Sequence, residues 1–285
     1  MKAGMIGLGA MGVGMAGNLA KAGFLSAVYN RTSAKAQDLA AELQVDYFET
    51  PAELAAAVDV VLICVSADQD VLAVVAAIAD TIKPGTVVVD MSTVSSNTAQ
   101  TAAAMLSQKQ VFFLDAPVSG GVEGAKNGTL AMMIGGEASA LAKVQPILAA
   151  MATRVIHIGD TGSGQATKAV NQIMCAGINQ AVTEALAFAQ AQHLPMDKVI
   201  EVISGGASGN WFLQHRGATM TNGKFAPGFK LALHHKDLKI CQAMAAQQHI
   251  ALPLSEQTLA DYEQLMAQGF GDEDISALYR LKRKG

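Results

Sequence analysis

The sequence contains little cysteine, few aromatic residues and little charge, and each shortage excludes a class of protein. Its 285 residues include three cysteines, an odd number, which excludes a disulfide framework of a secreted domain. Charged residues make up 15% and the formal net charge is −4, so there is no basic field to attract nucleic acid or anionic lipid. No uncharged run approaches the roughly 18 to 20 strongly apolar residues that span a bilayer. We therefore expect a cytoplasmic protein that binds neither nucleic acid nor membrane.

Apolar residues are abundant, at 51%, and 285 residues suit two domains. The first half alternates short apolar runs with helical stretches, which predicts an α/β domain with a doubly wound parallel sheet. The predicted strands are residues 4–6, 27–29, 58–65, 86–89 and 111–114, with 129–134 and 155–158 as candidates to extend the sheet edge. Helix starts are indicated at Ser33, at Thr50-Pro51 and at Ser95-Ser96.

The pattern changes after Gly162-Ser163-Gly164. Residues 165–191 contain no proline and one glycine, which predicts a single helix on the order of 40 Å long. Further helices are predicted over residues 195–203, 233–248, 253–268 and 272–284. The sequence thus predicts a Rossmann-type domain over residues 1–162 and an all-α domain over residues 163–285, joined through the long helix.

A glycine fingerprint follows the first predicted strand. It reads Gly7-Leu8-Gly9-Ala10-Met11-Gly12 and opens a helix. In such a loop the first glycine permits the tight turn, the second lets the backbone approach a pyrophosphate, and the third allows close packing of helix on strand. The helix N-terminus offers N–H groups and a partial positive charge to the phosphates. We therefore predict dinucleotide binding by all six residues.

The residues after the second strand predict which dinucleotide is bound. An NAD site usually has an Asp or Glu here for the ribose 2′-hydroxyl, whereas this chain has Asn30-Arg31-Thr32. Arg31 can pair with a 2′-phosphate, so NADP(H) is predicted over NAD(H). Further cofactor contacts are expected at the ends of later strands, where the chain reads Val65-Ser66 and Ser92-Thr93.

Two other segments have features of a reaction site. Ser119-Gly120-Gly121 predicts a turn whose N–H groups and hydroxyl hold a small carboxylate; an ordinary structural turn is the alternative. Lys168 lies about one turn into the long helix, and Asn171 follows on the same face. Ala166, Ala169 and Val170 flank Lys168, and burial in this largely apolar stretch would bring its pKa nearer neutrality, which suits a general acid or base.

Four motifs in this order resemble the β-hydroxyacid dehydrogenase family. They are the glycine fingerprint, the segment 115–121 (DAPVSGG), the segment 162–171 (GSGQATKAVN) and Lys236-Asp237-Leu238. The resemblance covers essentially the whole chain. It implies a Rossmann domain, an interdomain active site, a helical second domain and an oligomer, for which we expect a homodimer or homotetramer.

The resemblance also implies roles for particular residues. Lys168 exchanges a proton with the substrate oxygen, and Asn171 orients the substrate. Many relatives carry two consecutive asparagines where this chain has Asn171-Gln172, so either amide is a candidate substrate contact. Lys236 is expected beside the nicotinamide, with Asp237 as its partner near the substrate.

Two weaker signals concern the second domain. Trp211 follows Ser208-Gly209-Asn210 in a loop-like segment, where it either caps the substrate pocket or anchors the helical core. His234 and His235 are adjacent and would point apart on a helix, so no metal site is predicted.

These observations leave several functions open. The leading hypothesis is an NADPH-dependent reductase of glyoxylate, succinic semialdehyde or tartronate semialdehyde, reversible as a β-hydroxyacid dehydrogenase. An NAD-dependent 3-hydroxyisobutyrate or serine-type dehydrogenase is the alternative within the family. A non-catalytic NADP-binding sensor is the alternative from another class, and the joint presence of Lys168, Asn171, Ser119 and Lys236 argues against it.

Overall fold

A computed structural model of the protein describes residues 1–283. The chain divides into two compact units, one from Met1 to Lys168 and a second that begins at Ala169. The first, the sheet unit, contains all nine strands assigned in the described residues, and the second, the helical unit, is built from helices.

The nine strands of the sheet unit form one sheet. They are β1 (Ala3–Ile6), β2 (Leu25–Tyr29), β3 (Asp46–Tyr47), β4 (Val60–Ile63), β5 (Val87–Asp90), β6 (Phe112–Asp115), β7 (Val118–Ser119), β8 (Leu130–Gly136) and β9 (Ala152–Gly159). Their order is β3-β2-β1-β4-β5-β6-β8-β7, and β9 pairs with β8. The strands from β3 to β6 pair in parallel, whereas β8 runs antiparallel to β6 and β7. The predicted Rossmann-type sheet is confirmed.

The central strands are buried on both faces, which explains their unbroken apolar runs. In β4, Val60 and Leu62 face one hydrophobic cluster while Val61 and Ile63 face the other. The structure adds β3 and β7, which the sequence did not predict. Each has two residues, too few for an alternating pattern to be recognised.

Seven helices cover the two faces of this sheet. They are α1 (Ala10–Lys21), α2 (Ser33–Leu43), α3 (Pro51–Ala57), α4 (Asp68–Ile78), α5 (Ser96–Ser107), α6 (Gly121–Asn127) and α7 (Ala138–Ala149). Thr50 and Glu53 form a reciprocal capping box at α3, and the Ser95 hydroxyl caps α5, as their sequences indicated. Helices α1, α2 and α7 pack on one face and α3, α4 and α5 on the other.

Helix α8 (Ser163–Ala191) is the predicted long helix, with 29 residues. Its first turn and Lys168 belong to the sheet unit, and the remainder opens the helical unit. The side chain of Gln165 fixes its start, because it donates to the Ser92 carbonyl and accepts from the Val94 N–H. Sequence reasoning assigned no role to this glutamine.

The helical unit continues with shorter helices. They are α9 (Met196–Ser204), α10 (Trp211–Thr221), α11 (Leu231–Gln247), α12 (Pro253–Ala267), a 3₁₀ turn (Ile275–Leu278) and α13 (Tyr279–Lys282). The prediction of one helix from Asp272 onward is wrong within the described residues, and its Lys284 end lies outside them. Buried Asp274 is the cause: its carboxylate accepts from the N–H groups of Gly228, Phe229 and Ser276, which holds the segment extended before the 3₁₀ turn. Among residues 1–283, no helix is long and apolar enough to cross a membrane.

Candidate active site

The glycine fingerprint forms the turn from β1 into α1. The space around each of its three glycines shows whether a side chain could replace the hydrogen there. Gly7 has a φ of +97°, and a Cβ there would lie 2.2 Å from the Cys64 carbonyl oxygen. A Cβ on Gly12 would lie 2.0 Å from the Gly7 carbonyl oxygen, so this glycine permits the helix to approach the strand. A Cβ on Gly9 would meet nothing within 4 Å. The first and third glycines are thus required by the fold, and the second faces open space.

The residues present fit a dinucleotide at this turn. Helix α1 begins without a side-chain cap at Gly9 and without an acidic residue in its first turn. Its N-terminus therefore presents backbone N–H groups and a partial positive charge that no carboxylate of that turn neutralises. The sheet order changes direction at β1, between β2 and β4, where this fold binds dinucleotides at the carboxyl ends of the strands. Leu8, Ala10 and Met11 complete the predicted turn.

The three predicted cofactor residues after β2 have different positions in the structure. The Asn30 side chain accepts from the Leu8 N–H at 3.0 Å and donates to the Thr32 carbonyl at 3.1 Å, so it ties this loop to the glycine turn. The Arg31 side chain is 88% exposed, and its guanidinium lies 3.2 Å from the Asp70 carboxylate. Thr32 is the residue before α2 and is exposed.

The loops after β4 and β5 are joined by hydrogen bonds. The Val65 N–H donates to the Ser92 hydroxyl at 2.9 Å, while Ser66 is exposed and Thr93 is half-buried. Asp68, missed by sequence reasoning, accepts from the Ser95 N–H and from the Thr98 hydroxyl. Partial burial raises the pKa of this carboxyl, but the hydrogen bonds from Thr98 and Ser95 outweigh it, and the net pKa is lowered.

The segment predicted to hold a carboxylate begins at the last residue of a short strand. Ser119 ends β7, and Gly120 and Gly121 have φ values of +130° and +63°, which side chains rarely adopt. The prediction of a glycine-dependent turn is therefore confirmed in its backbone, and α6 begins at Gly121.

Lys168 lies beside this turn. Its residue is only 8% exposed, and its Nζ donates a hydrogen bond of 2.9 Å to the carbonyl of Val118, the neighbour of Ser119. The predicted burial of Lys168 is found. The structure thus brings the predicted acid/base and the predicted carboxylate turn together within the sheet unit.

Two buried carboxyls lie at the ends of β5 and β6. Asp115 begins the DAPVSGG segment but had no predicted role of its own, and Asp90 belongs to none of the four motifs. Asp115 accepts hydrogen bonds from the N–H groups of Gly162 and Gln165, both at 2.8 Å. It therefore anchors the first turn of α8, the helix on which Lys168 lies. Burial raises the pKa of Asp115. Asp90 lies opposite it in the sheet register, and burial raises its pKa to about 7.

A second polar cluster lies in the helical unit. The Asn171 amide donates to Gln172 Oε1 at 2.7 Å, Gln172 Nε2 donates to Asp237 Oδ2 at 2.6 Å, and Asp237 Oδ1 lies 2.9 Å from Lys236 Nζ. The expected pairing of Lys236 with Asp237 is therefore present. Gln172 is 1% exposed, whereas Asn171 and Lys236 are half-buried.

The adjacent histidines point to different partners. His234 is buried, with Nε2 3.2 Å from the Gln172 carbonyl and Nδ1 3.0 Å from the Tyr262 hydroxyl, whereas His235 lies beside Glu263. A carbonyl only accepts, so His234 Nε2 carries the proton and Nδ1 accepts from the tyrosine. No group of three or more potential metal ligands occurs within residues 1–283.

Trp211 begins helix α10, after Asn210, whose side chain accepts from the Leu213 N–H. It is 60% exposed, so the alternative of a core anchor is wrong. Its ring stacks on His215 with the centroids 4.2 Å apart. The tryptophan is held at the surface of the helical unit.

Comparisons with known proteins agree with this architecture. Residues 2–159 match the NAD-binding domain of 6-phosphogluconate dehydrogenase, and residues 162–282 match the NAD-binding domain of NADP-dependent 3-hydroxyisobutyrate dehydrogenase. Such a pair of domains defines an NAD(P)-dependent oxidoreductase that acts on a CH–OH group. The chain belongs to the β-hydroxyacid dehydrogenase family.

Individual relatives span almost the full length. An uncharacterized oxidoreductase of Shewanella frigidimarina is 38% identical, over 97% of this chain and 96% of its own. The NAD-dependent L-serine dehydrogenase of Pseudomonas aeruginosa is 32% identical, over 97% of this chain and 96% of its own. The structure of Mycobacterium tuberculosis 3-hydroxyisobutyrate dehydrogenase with L-serine matches with a TM-score of 0.90 and 31% identity, over 99% of each chain.

Proposed function

We propose that this dehydrogenase uses NADP(H) to interconvert a small β-hydroxy acid with its semialdehyde or keto acid. It acts as a reductase of glyoxylate, succinic semialdehyde or tartronate semialdehyde. The observation that carries the proposal is the buried Lys168 Nζ, hydrogen-bonded 2.9 Å from the Val118 carbonyl beside the Ser119 turn. This hydrogen bond holds the Lys168 ammonium next to the turn whose backbone N–H groups can bind a substrate carboxylate.

The proton transfer follows from this position. A bound nicotinamide dinucleotide supplies the hydride for reduction of the substrate carbonyl carbon, or accepts it in oxidation. In reduction, Lys168 Nζ gives one proton to the substrate oxygen as negative charge develops there, and the ammonium becomes an amine. In oxidation, the neutral amine removes the hydroxyl proton. The Val118 carbonyl can accept a hydrogen bond from either form of Nζ, so Lys168 keeps its position through the transfer.

Other residues of the chain bind and orient the substrate in this proposal. The Ser119 hydroxyl and the N–H groups of Gly120 and Gly121 hold its carboxylate. The Asn171 amide orients its oxygen, and Trp211 covers it. These roles rest on the family resemblance and on the positions of the residues within their own units.

The preference for NADP(H) rests on the loop after β2. Arg31 is exposed there, its guanidinium is oriented by Asp70, and residues 30–32 contain no acid. A guanidinium pairs well with the 2′-phosphate that distinguishes NADP from NAD. Lys236, with its ammonium held by Asp237, is assigned to the nicotinamide end.

The second candidate is an NAD-dependent dehydrogenase of L-serine or 3-hydroxyisobutyrate. Two relatives favour it, since one carries the name NAD-dependent L-serine dehydrogenase and another was solved with L-serine. Initial rates in the two directions separate the candidates. Reduction is measured as oxidation of NADPH or NADH with glyoxylate and succinic semialdehyde. Oxidation is measured as reduction of NAD⁺ or NADP⁺ with L-serine and 3-hydroxyisobutyrate.

We expect the fastest turnover with NADPH and one of the aldehydes. Faster turnover with NAD⁺ and a hydroxy acid would replace the proposal by the second candidate. Binding of NADPH without turnover of any of the four substrates would favour a sensor that binds the dinucleotide without catalysis.

We also propose that the protein is a homo-oligomer that assembles through α8. Exposed apolar side chains recur along one side of this helix at Val170, Met174, Ala181, Ala185 and Phe188, and the first, second and last are more than half exposed. A second copy would cover this surface. Sedimentation equilibrium of the wild type should give a mass at least twice that of one chain, which is 29.5 kDa. The double variant Met174→Glu, Phe188→Glu should sediment as a single chain. A monomeric wild type would contradict this.

A further inference from the structure

Gln172 connects two predicted site residues through the two ends of its amide. Its Oε1 accepts from Asn171 Nδ2 at 2.7 Å, and its Nε2 donates to Asp237 Oδ2 at 2.6 Å. Asp237 then holds Lys236 through its other oxygen. The four side chains form one chain of hydrogen bonds from α8 to α11.

The direction of this chain is determined by chemistry. A carboxylate only accepts, so the Gln172 amide must turn its NH₂ group toward Asp237 and its oxygen toward Asn171. The oxygen then receives the Asn171 NH₂, which leaves the Asn171 carbonyl oxygen directed away from Gln172. The same Asn171 nitrogen lies 3.6 Å from Cys175 Sγ, a weak acceptor, so Gln172 is the stronger of the two groups that orient the Asn171 amide.

Burial makes these bonds costly to lose. Gln172 is 1% exposed and Asp237 is 4% exposed, so water cannot easily replace a missing partner of the carboxylate. The backbone of Gln172 is held as well, because His234 Nε2 donates to its carbonyl at 3.2 Å. His234 lies two residues before Lys236 on α11, so this bond is a second link between α8 and α11 beside the one from Gln172 to Asp237.

We propose that Gln172 is a positioning residue, and that it acts through Asn171 and Asp237 rather than by binding substrate. It orients the Asn171 amide and, through Asp237, the Lys236 ammonium. This inference rests on the proposed function for the roles of Asn171 and Lys236.

The test compares two glutamine-to-methionine substitutions in the same helix. Methionine is similar in length but cannot replace the two hydrogen bonds. Gln180 is the matched control, since it is buried on α8 and its amide binds Thr258 and Asp261. We expect Gln172→Met to lower kcat about 10- to 100-fold, as a small misplacement of reacting groups can. We expect Gln180→Met to lower melting temperature by a similar amount and to keep wild-type kcat.

A charged isostere adds a pH profile. In Gln172→Glu a carboxylate faces Asp237, and only its protonated form can donate to that residue. We expect kcat of Gln172→Glu, relative to wild type, to rise as the pH falls from 8 toward 5. A flat ratio would contradict the proposed hydrogen bond.

Two further outcomes would overturn the proposal. A Gln172→Met enzyme with wild-type kcat and a raised KM for substrate would make Gln172 a substrate contact. A crystal structure of Gln172→Met in which Asn171 and Asp237 keep their orientations would show that Gln172 does not position them. The crystal structure is independent of turnover, so it separates failure of this inference from failure of the proposed reaction.

Discussion

In the sheet unit, strands β1, β4 and β5 are buried by aliphatic side chains along nearly their whole length, and the polar groups gather where the strands end. In the helical unit, polar side chains lie within the interior itself. The buried ones on α8, α11 and α12 include Gln172, Asn179, Gln180, Thr183, His234, Asp237 and Thr258.

The difference arises because strands form backbone hydrogen bonds with neighbouring strands, whereas a helix forms them within itself. A parallel sheet pairs its strands through the backbone, so side chains inside it are free to be apolar, and chemistry moves to the loops at the carboxyl edge. Helices satisfy their own backbones and contact one another only through side chains. Pairs such as Gln172 with Asp237 can therefore specify which residues of two helices meet. The following predictions test this contrast, from the largest expected effect to the smallest.

Lys168→Ala should lower kcat about 10²- to 10⁴-fold, because proton transfer to a developing alkoxide contributes that much. NADPH affinity, measured by quenching of cofactor fluorescence, should stay within a few-fold of wild type. Unchanged turnover would remove Lys168 from the mechanism. Lys143→Ala is the control, because it also removes a lysine, one that lies over the Phe112 ring, and it should leave kcat unchanged.

Asp90→Asn should change how stability depends on pH. Burial raises the Asp90 pKa from 3.8 to about 7, so the folded state binds more protons than the unfolded state between those values. Stability therefore falls as pH rises from about 4 to 7, by up to about 4 kcal/mol at 1.4 kcal/mol for each pKa unit. Asparagine resembles the protonated acid and should make urea unfolding less dependent on pH. If the stability of the variant fell with pH as steeply as that of the wild type, the pH dependence would arise from groups other than Asp90.

Gly12→Ala and Gly9→Ala should separate fold from cofactor binding. The Cβ at position 12 would lie 2.0 Å from a backbone oxygen, whereas position 9 has nothing within 4 Å. We expect Gly12→Ala to cost about 1–3 kcal/mol or more in urea unfolding, as overpacking does. Gly9→Ala should keep wild-type stability and weaken NADPH binding. Equal stability losses would contradict the division of roles.

Tyr262→Phe and Tyr29→Phe compare the interiors of the two units. The Tyr262 hydroxyl joins buried Asn179 to His234, and burial raises its pKa above the usual range. Its removal leaves His234 Nδ1 without that donor and should cost about 1–3 kcal/mol. Tyr29, half-buried in β2, packs its ring on the apolar cluster, and loss of its hydroxyl should cost less than about 0.5 kcal/mol. Similar losses from both would weaken the contrast.

Arg31→Ala should raise KM for NADPH about tenfold and leave KM for NADH nearly unchanged, because only NADPH has the 2′-phosphate. Asp70→Asn should have the smallest effect, a change in KM for NADPH of a few-fold, since the pair it forms with Arg31 is exposed. Parallel changes for both cofactors would indicate that Arg31 does not bind a phosphate.

Local patterns in the sequence were sufficient for much of this molecule. The unbroken apolar runs predicted the central strands, the capping residues Thr50 and Ser95 predicted two helix starts, and the absence of proline predicted α8. The glycine fingerprint predicted its own turn. Each of these features depends on residues close together in the chain.

Features that depend on distant residues could not be predicted in this way. Asp274 delays the start of the expected C-terminal helix because Gly228 and Phe229 bind its carboxylate from 46 and 45 residues away. The exposure of Trp211 likewise depends on how the helical unit packs, and the sequence left open whether this ring caps a pocket or anchors the core.

The sequence by itself determined the order of the longer strands and of most helices, the glycine turn and the family, because these depend on local conformational preferences and on motifs. Only the tertiary structure decided that Asp115 anchors the first turn of α8, that Lys168 meets the Val118 carbonyl, and that Gln172 turns inward to Asp237. Those contacts join residues 47 to 65 positions apart. A buried polar group must find a hydrogen-bond partner, and which partner it finds depends on how the chain packs.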